Sequence, residues 1–136
     1  MLNMKVKSSK NVVYSCKYHI LWCPKYKRKV LVDDVERRLK EIIIDITEKQ
    51  NAEIIKMDIM PDHVHMLVEV DPQYGIHKLV KKLKRVSSRI LRGEFKHLTT
   101  KLPTLWTHSY FVSTVGAAPL KVIKQYIESQ KRSQRK

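Results

Sequence analysis

Apolar residues recur along this chain in two periods, one typical of strands and one typical of helices. Alternating or β-branched runs predict strands at residues 11–23, 52–60, 62–71 and 106–115. Helical spacing predicts helices from Asp33, from about Gly75 to Leu91, and from Leu120 to about Gln130. Residues 94–104 fit a short helical turn and a loop. The predicted order is therefore strand, helix, strand, strand, helix, strand, helix.

This order of elements predicts an α+β fold. Split βαβ units close into a four-stranded antiparallel sheet with two helices on one face, the ferredoxin-like or RRM-like arrangement. The third helix then lies at the carboxyl-terminal end. No repeat or linker divides the chain, which predicts a single domain over residues 1–136 with a disordered basic tail at about 131–136.

The first strand separates a core side from a polar side. Its even positions are bulky (Val12, Tyr14, Cys16, Tyr18, Ile20, Trp22), whereas its odd positions include Ser15, Lys17 and His19. Cys16 and Cys23 fall on opposite sides, so we expect no disulfide between them. Free thiols, the absence of a long apolar run and the lack of a signal-peptide core together predict a cytoplasmic protein with no membrane partner.

The charge balance is strongly basic. Lys and Arg number 28 against 13 Asp and Glu, for a formal net charge of +15. An excess of this size favours a polyanionic partner, most often nucleic acid. The polar side of the second helix carries cations of one sign: Lys78, Lys81, Lys82, Lys84, Arg85, Arg89 and Arg92. Such a face suits a surface that contacts successive phosphates of a nucleic-acid backbone; the alternative is a face that is only solvated.

Two histidines stand two positions apart inside an apolar strand. His63 and His65 therefore share one side of the sheet, while Val64, Met66 and Val68 share the other. The same parity places His19 and Lys56 beside the histidine pair. Paired imidazoles on a rigid strand are half of a metal site; the alternative is a pair of ordinary surface histidines.

The last helix offers a phenol and an amide beside its apolar stripe of Leu120, Ile123 and Ile127. Tyr126 and Gln130 are four residues apart, so they lie above one another on its flank. Two imidazoles and an amide oxygen suit Mg²⁺, Mn²⁺ or Zn²⁺. A nearby divalent cation would favour the phenolate of Tyr126. The alternative is that Tyr126 extends the stripe and Gln130 faces solvent.

Four blocks of the sequence resemble one known family. They are residues 18–27 (YHILWCPKYK), 60–65 (MPDHVH), Leu105-Trp106 with 110–116 (YFVSTVG), and 126–130 (YIESQ). In this order they resemble the single-tyrosine HUH transposases, the TnpA-type enzymes of the smallest bacterial and archaeal insertion sequences. The resemblance runs from about Val13 to Gln130, nearly the whole chain.

The resemblance implies a metal-dependent DNA transposase that cleaves and transfers single strands. His63, His65 and Gln130 would bind Mg²⁺ or Mn²⁺. Tyr126 would attack a DNA phosphate to form a 5′-phosphotyrosine link and free a 3′-hydroxyl. The implied partners are single-stranded DNA hairpins at the transposon ends and a second copy of the chain in a homodimer.

The candidate DNA contacts come from the first strand, the basic loop after it and the second helix. They are His19, Lys25, Lys27, Arg28, Lys78, Lys82, Arg85 and Arg89. For His19 the alternative is a hydrogen-bonded sheet histidine. The chain departs from the family pattern at Thr107-His108-Ser109, where a basic residue and a glycine are frequent, and at Lys27, where arginine is frequent. Neither position carries the covalent chemistry.

Two other functions fit parts of the sequence. A noncatalytic RNA-binding module would use the same fold to stack bases on an uncovered sheet face. The predicted face offers His63, His65, Leu67 and Glu69 there instead of the expected aromatic pair. A host-retained relative acting on palindromic repeats would keep every proposed catalytic residue.

Overall fold

The structure, a computed structural model, describes residues 7–9, 12–115 and 120–133, with side chains described over 15–115 and 124–130. Its strands are β1 (Lys7–Ser9), β2 (Val12–Tyr14), β3 (Lys17–Trp22), β4 (Glu53–Met60), β5 (His63–Glu69) and β6 (Phe111–Thr114). Its α-helices are α1 (Asp33–Lys49), α2 (Ile76–Glu94), α3 (His97–Thr100) and α4 (Leu120–Ser133), and a 3-10 helix spans Lys25–Lys27.

The main sheet has four strands in the order β4-β5-β3-β6, and every neighbouring pair is antiparallel. This is the order that two split βαβ units produce, so the predicted fold class is confirmed. Helices α1 and α2 cover one face of the sheet. The core between these layers includes Ile20, Met66, Leu39, Ile43 and Leu83, all fully buried.

Helix α1 forms where the sequence combines an acidic first turn with an apolar stripe. Asp33, Asp34 and Glu36 lie at its amino end, where the helix dipole favours negative charge. Val35, Leu39, Ile42, Ile43 and Ile46 are buried, as the helical spacing predicts. The stripe therefore fixes which side of α1 rests on the sheet.

The predicted strand at residues 11–23 is two strands. β2 pairs with β1 in a separate two-stranded sheet, whereas β3 pairs with β5 and β6 in the main sheet. Ser15 and Cys16 form the junction between them. A run of strand-forming residues cannot show this division, because both halves have the same β-propensity.

A β-bulge between Ile54 and Lys56 changes the predicted alternation of β4. The alternation of Ile55, Met57 and Ile59 with Lys56 and Asp58 predicts that Ile55 faces the core. Its side chain is instead 43% exposed, and Ile54 packs against the core. An extra residue in one strand inverts the parity on one side of the bulge. Beyond it, Lys56 lies opposite Leu67 and Asp58 opposite His65, on the predicted side.

The predicted strand at residues 106–115 is shorter than expected, because only Phe111–Thr114 joins the sheet. Trp106 forms an isolated bridge with Pro24, and residues 107–110 leave the sheet as a loop. This loop turns toward α2, where the Lys84 ammonium donates to three of its carbonyl oxygens. Tertiary hydrogen bonds therefore replace the strand pairing that the local sequence favours.

The helices extend beyond their predicted ends. α2 continues three residues past Leu91 to Glu94, and α4 continues past Gln130 to Ser133, into the segment predicted as a tail. Residues 134–136 of that tail lie outside the described residues. Within the described ranges, no helix has the length and apolar character needed to cross a membrane.

Candidate active site

The sheet face opposite α1 and α2 carries His19, Lys56, His63 and His65, and we call it the histidine face. Placing both main helices on one side of the sheet predicts that this other side stays uncovered, but α4 rests on part of it. Leu21 and Cys23, at odd positions of the first predicted strand, are 1% and 0% exposed and form a second small core. Phe111, Tyr126 and Ile127 pack against this pair. The polar side of that strand therefore becomes apolar where α4 docks.

Strand register brings α4 beside the histidine pair. Leu21 lies directly opposite His65 on β5 and opposite Phe111 on β6. The Phe111 and Tyr126 rings are 5.5 Å apart between centroids. Adjacent strands are about 4.8 Å apart. Because Tyr126 packs against Leu21, it lies over β3, the strand next to β5, which carries His65. Ile127 of the predicted stripe packs here, whereas the side chains of Leu120 and Ile123 lie outside the described set.

His65 is paired with His19 across β3 and β5. The Nδ1 atom of His19 is 3.2 Å from Nε2 of His65, and the two rings are stacked with centroids 5.3 Å apart. One nitrogen of this contact must donate and the other accept, so at most one of the two rings is charged. Burial, followed by repulsion from His19, lowers the pKa of His65. The neutral ring that results is the form that binds metal ions.

His63 is held by an acidic neighbour. Its Nδ1 atom lies 2.9 Å from Oδ1 of Asp62, and Lys27 Nζ lies 3.3 Å from Oδ2 of the same carboxylate. Burial raises the pKa of Asp62, but the hydrogen bonds from His63 and Lys27 outweigh it and leave that pKa below its usual value. A histidine that donates Nδ1–H to a carboxylate directs the lone pair of Nε2 outward, as metal-ligating histidines do.

The phenol and the amide of α4 meet at a serine. Ser109 Oγ donates to Oε1 of Gln130 at 2.8 Å and lies 2.9 Å from the Tyr126 hydroxyl. Tyr126 and Gln130 are half-buried. Burial raises the pKa of Tyr126, the hydrogen bond with Ser109 lowers it, and Cys23 raises it further. The net pKa is above the ordinary value, so this phenol needs additional help to ionise near neutral pH.

Apart from His19, which pairs with His65, the predicted DNA contacts lie in two places. The 3-10 helix carries Lys25 and Lys27, with Arg28 following it, and it contacts α4. Lys27 is only 13% exposed and is paired with Asp62. The cations of α2 lie in the helix layer, on the far side of the sheet from the histidine pair. Of these, Lys78, Arg85 and Arg89 are exposed and Lys82 is half-buried.

Lys84 and Ser109 received no site role from the sequence. Lys84 counted among the cations of α2, yet its ammonium donates to the loop at residues 107–109. Ser109 falls in the gap where the family pattern is not followed, and that departure was the available signal. Over residues 12–115 and 120–133, no three His, Cys, Asp or Glu side chains converge as a ready metal cluster.

The sheet, its histidine pair and the tyrosine on α4 are the fold and the residue types of the single-tyrosine HUH transposases. Comparison with protein-family models agrees with this class, because the model described as "Transposase IS200 like" matches residues 12–130. The chain belongs to the IS200-like transposase family.

Individual relatives extend over most of the chain. The ISDra2 transposase TnpA of Deinococcus radiodurans is 40% identical over 132 residues, which are 96% of this chain and 94% of that protein. The IS200 transposase of Salmonella typhimurium is 33% identical over 126 residues, 91% of this chain and 82% of that one.

Solved structures give the same fold. The crystal structure of a Deinococcus radiodurans R1 protein described as a transposase superposes with a TM-score of 0.82 at 41% identity, covering 91% of this chain and 97% of that chain. A REP-associated tyrosine transposase bound to a REP hairpin gives a TM-score of 0.50 at 12% identity, over 90% of this chain and 68% of that one. The second likeness concerns the fold alone.

Proposed function

We propose that this transposase cleaves and rejoins single-stranded DNA at hairpin-bearing element ends, with Tyr126 as the nucleophile. The observation that carries the proposal is the docking of α4 on the histidine face. Tyr126 packs on Phe111, in the row where Phe111, Leu21 and His65 lie side by side on adjacent strands. A phenol beside an imidazole pair that would hold a metal ion suits a metal-assisted attack on phosphate.

The reaction is a transesterification. The Tyr126 phenol loses its proton, and its oxygen attacks a DNA phosphorus atom. A P–O bond forms to Tyr126 while the bond from phosphorus to the 3′ oxygen breaks, and this oxygen leaves as a 3′-hydroxyl after taking up a proton. A 3′-hydroxyl then attacks the 5′-phosphotyrosine and releases the phenol. Because the tyrosyl ester retains the phosphodiester bond energy, no nucleotide cofactor is needed.

The residues present fit a divalent metal. Asp62 holds His63 as an outer carboxylate holds a ligating histidine, and burial lowers the pKa of His65, which favours its neutral ring. Gln130 supplies an amide oxygen, a ligand of the kind that Mg²⁺ and Mn²⁺ accept. His63, His65 and Gln130 would hold Mg²⁺ or Mn²⁺, which polarises the phosphate and favours the phenolate when bound.

The DNA partner is proposed from charge and from the family. A net charge of +15 suits a polyanion, and exposed Arg28, Lys78, Arg85 and Arg89 offer contacts to phosphates. The hairpin form of the substrate rests on the family resemblance, and it agrees with the hairpin held by the REP-associated transposase of the same fold. The homodimer and the cytoplasmic location remain predictions from the sequence.

The family assignment favours this function over an RNA-binding module. Such a module needs an uncovered sheet face with exposed aromatic rings. Here α4 covers Leu21 and Cys23 on that face, and Phe111 packs under Tyr126. A host-retained relative would share the chemistry and differ only in the DNA that it recognises.

A covalent adduct tests the proposal directly. The protein is incubated with a labelled single-stranded hairpin from its own element ends and Mg²⁺ or Mn²⁺, then separated under denaturing conditions. We expect a protein–DNA adduct from the wild type and from Tyr74→Phe, a matched control that also loses a phenol hydroxyl. Tyr126→Phe should give none while remaining folded, because it keeps the half-buried ring and loses only one exposed hydrogen bond, about 1 kcal/mol.

Loss of metal should have the same effect as loss of the phenol. A chelator, or His63→Ala, should abolish the adduct without unfolding the protein, since His63 faces away from the core. If the wild type yields no adduct, or if Tyr126→Phe yields as much as wild type, Tyr126 is not the nucleophile.

A further inference from the structure

Lys84 lies on α2, in the helix layer, but its side chain ends at the active-site loop. Its ammonium donates to three consecutive carbonyl oxygens, those of Thr107 at 2.6 Å, His108 at 3.1 Å and Ser109 at 3.1 Å. An ammonium has three N–H groups, so these acceptors use all of them. This lysine is therefore committed to the loop and is not available as a phosphate contact.

The surroundings of Lys84 suit a fixed charge. The residue is half-buried, and its ammonium also lies 5.3 Å from the centroid of the Tyr110 ring. Burial lowers the pKa of Lys84 to about 8, so most molecules still carry the ammonium at pH 7. The three carbonyl dipoles favour this charged form. The charged form of Lys84 that makes the three hydrogen bonds is therefore the main form at pH 7.

Ser109 connects the loop that Lys84 holds to the Tyr126 phenol and the Gln130 amide. Its hydroxyl has one proton, which it donates to Oε1 of Gln130, so it must accept the proton of the Tyr126 hydroxyl. One side chain therefore orients both the proposed nucleophile and a proposed metal ligand. Since Lys84 holds the Ser109 carbonyl, the position of that hydroxyl depends on α2.

We propose that Lys84 and Ser109 are positioning residues, which aim the Tyr126 phenol and the Gln130 amide by fixing the loop at residues 107–109. This inference rests on the proposed function of Tyr126 and Gln130. It assigns to α2 a role in the site in addition to any contact with DNA. It also predicts that arginine cannot replace Lys84, because a planar guanidinium cannot direct three N–H groups around one point as an ammonium does.

The test separates positioning from binding. Hairpin affinity and the single-turnover rate of adduct formation at saturating DNA are measured for Lys84→Met, Lys84→Arg, Ser109→Ala and the Lys84→Met/Ser109→Ala double variant. We expect each to lower the rate about tenfold or more, because small misplacements of reacting groups are costly. Affinity should stay within about twofold of wild type, a change too small to explain the loss of rate. The double variant should be no slower than the slower single variant, since both changes act on one path.

Lys40→Met serves as the control, because Lys40 is an exposed cation on α1 away from the site. It should match wild type in rate and affinity. A Lys84→Arg variant with full rate, or a loss of activity explained by weaker hairpin binding, would show that Lys84 acts as a charge on DNA and overturn the proposal. Thermal melts identify any variant that fails to fold. If the Lys84 variants do not fold, the rate and the hairpin affinity of Ser109→Ala decide between positioning and DNA binding.

A readout that does not depend on catalysis keeps the two proposals distinct. With 3-fluorotyrosine incorporated, the ¹⁹F resonance of Tyr126, assigned with Tyr126→Phe, should shift in Lys84→Met and in Ser109→Ala but not in Lys40→Met. If the wild type forms no adduct, the proposed function fails, and this resonance alone tests the positioning. An unchanged resonance in both variants would overturn it.

Discussion

Cys23 is a thiol enclosed between the sheet and α4. It is fully buried and packs in one small cluster with Leu21, Phe111, Tyr126 and Ile127. Burial is the largest influence and raises the pKa of Cys23 to about 12; Lys27 and Lys84 lower it by smaller amounts, and Asp62 adds to the rise. Its accessibility therefore reports whether α4 is docked beside the histidine pair.

Alkylation measures this accessibility. At pH 8 with iodoacetamide, we expect half-buried Cys16 to react and Cys23 to stay unmodified until the protein unfolds, because the thiolate is the reactive form. Mass spectrometry of peptides gives the two rates, and Cys16→Ser provides a protein with Cys23 as its single thiol. Equal rates for the two cysteines would mean that α4 does not cover Cys23.

The same thiol predicts a pH dependence of stability. A raised pKa in the folded state means that the contribution of Cys23 is fully present below the unfolded value of about 9 and is lost as pH rises toward 12. Denaturant melts from pH 8 to 11 should show the wild type losing stability faster than Cys23→Ala, which lacks this group. Parallel curves for the two proteins would contradict the assignment.

At the scale of elements, the segment after α3 is held by α2 more than by the sheet. The Trp106 indole donates to Ser87 Oγ at 3.0 Å, and Lys84 holds the following loop. The Trp22 and Trp106 rings meet edge to face, with centroids 5.9 Å apart. Both tryptophans are core residues. These contacts explain why residues 106–110 are not a strand.

Ser87→Ala tests the contact between α2 and this segment. It leaves a buried indole N–H without an acceptor, so we expect a loss of about 1–3 kcal/mol in the free energy of unfolding. Ser88→Ala, one position along the same helix and only half-buried, should change stability by less than about 0.5 kcal/mol. Chemical denaturation of both variants provides the comparison, and equal losses would show that the hydrogen bond contributes nothing specific.

At the scale of the whole molecule, basic charge lies on both sides of the sheet. The cations of the 3-10 helix lie near α4, and those of α2 lie in the opposite layer. Positive charge distributed in this way suits DNA that extends beyond one face, since phosphates attract cations wherever they are exposed. The two groups of cations should contribute separately to binding.

Salt dependence measures the contribution of α2. The triple variant Lys78→Gln/Arg85→Gln/Arg89→Gln should lower the slope of log affinity against log salt by about 2 to 3, if each cation contacts one phosphate. The charge-matched triple Arg37→Gln/Lys40→Gln/Lys49→Gln on exposed positions of α1 should keep the wild-type slope. An unchanged slope in the α2 variant would show that these three cations face solvent and do not contact DNA phosphates.

Local periodicity was sufficient for most of the elements and for much of their orientation, although the single strand predicted at residues 11–23 is β2 and β3. The stripe of α1, the parity of His63 and His65, and the order of the strands all follow from spacing. It was insufficient at Ile55, where a bulge inverts the parity, and at residues 106–110, where a distant lysine provides the hydrogen bonds. Strand pairing decides the first place and a lysine on α2 decides the second, and the local pattern shows neither.

The sequence by itself determined the fold class, the shared side of the histidine pair and the spacing of Tyr126 and Gln130, because these depend on the repeat of one strand or one helix. Only the tertiary structure decided that α4 rests on Leu21 and Cys23 beside His65, that Asp62 and His19 hold the two imidazoles, and that Ser109 joins the phenol to the amide. Those arrangements depend on where separate elements dock, and the spacing of residues within one strand or helix does not show this.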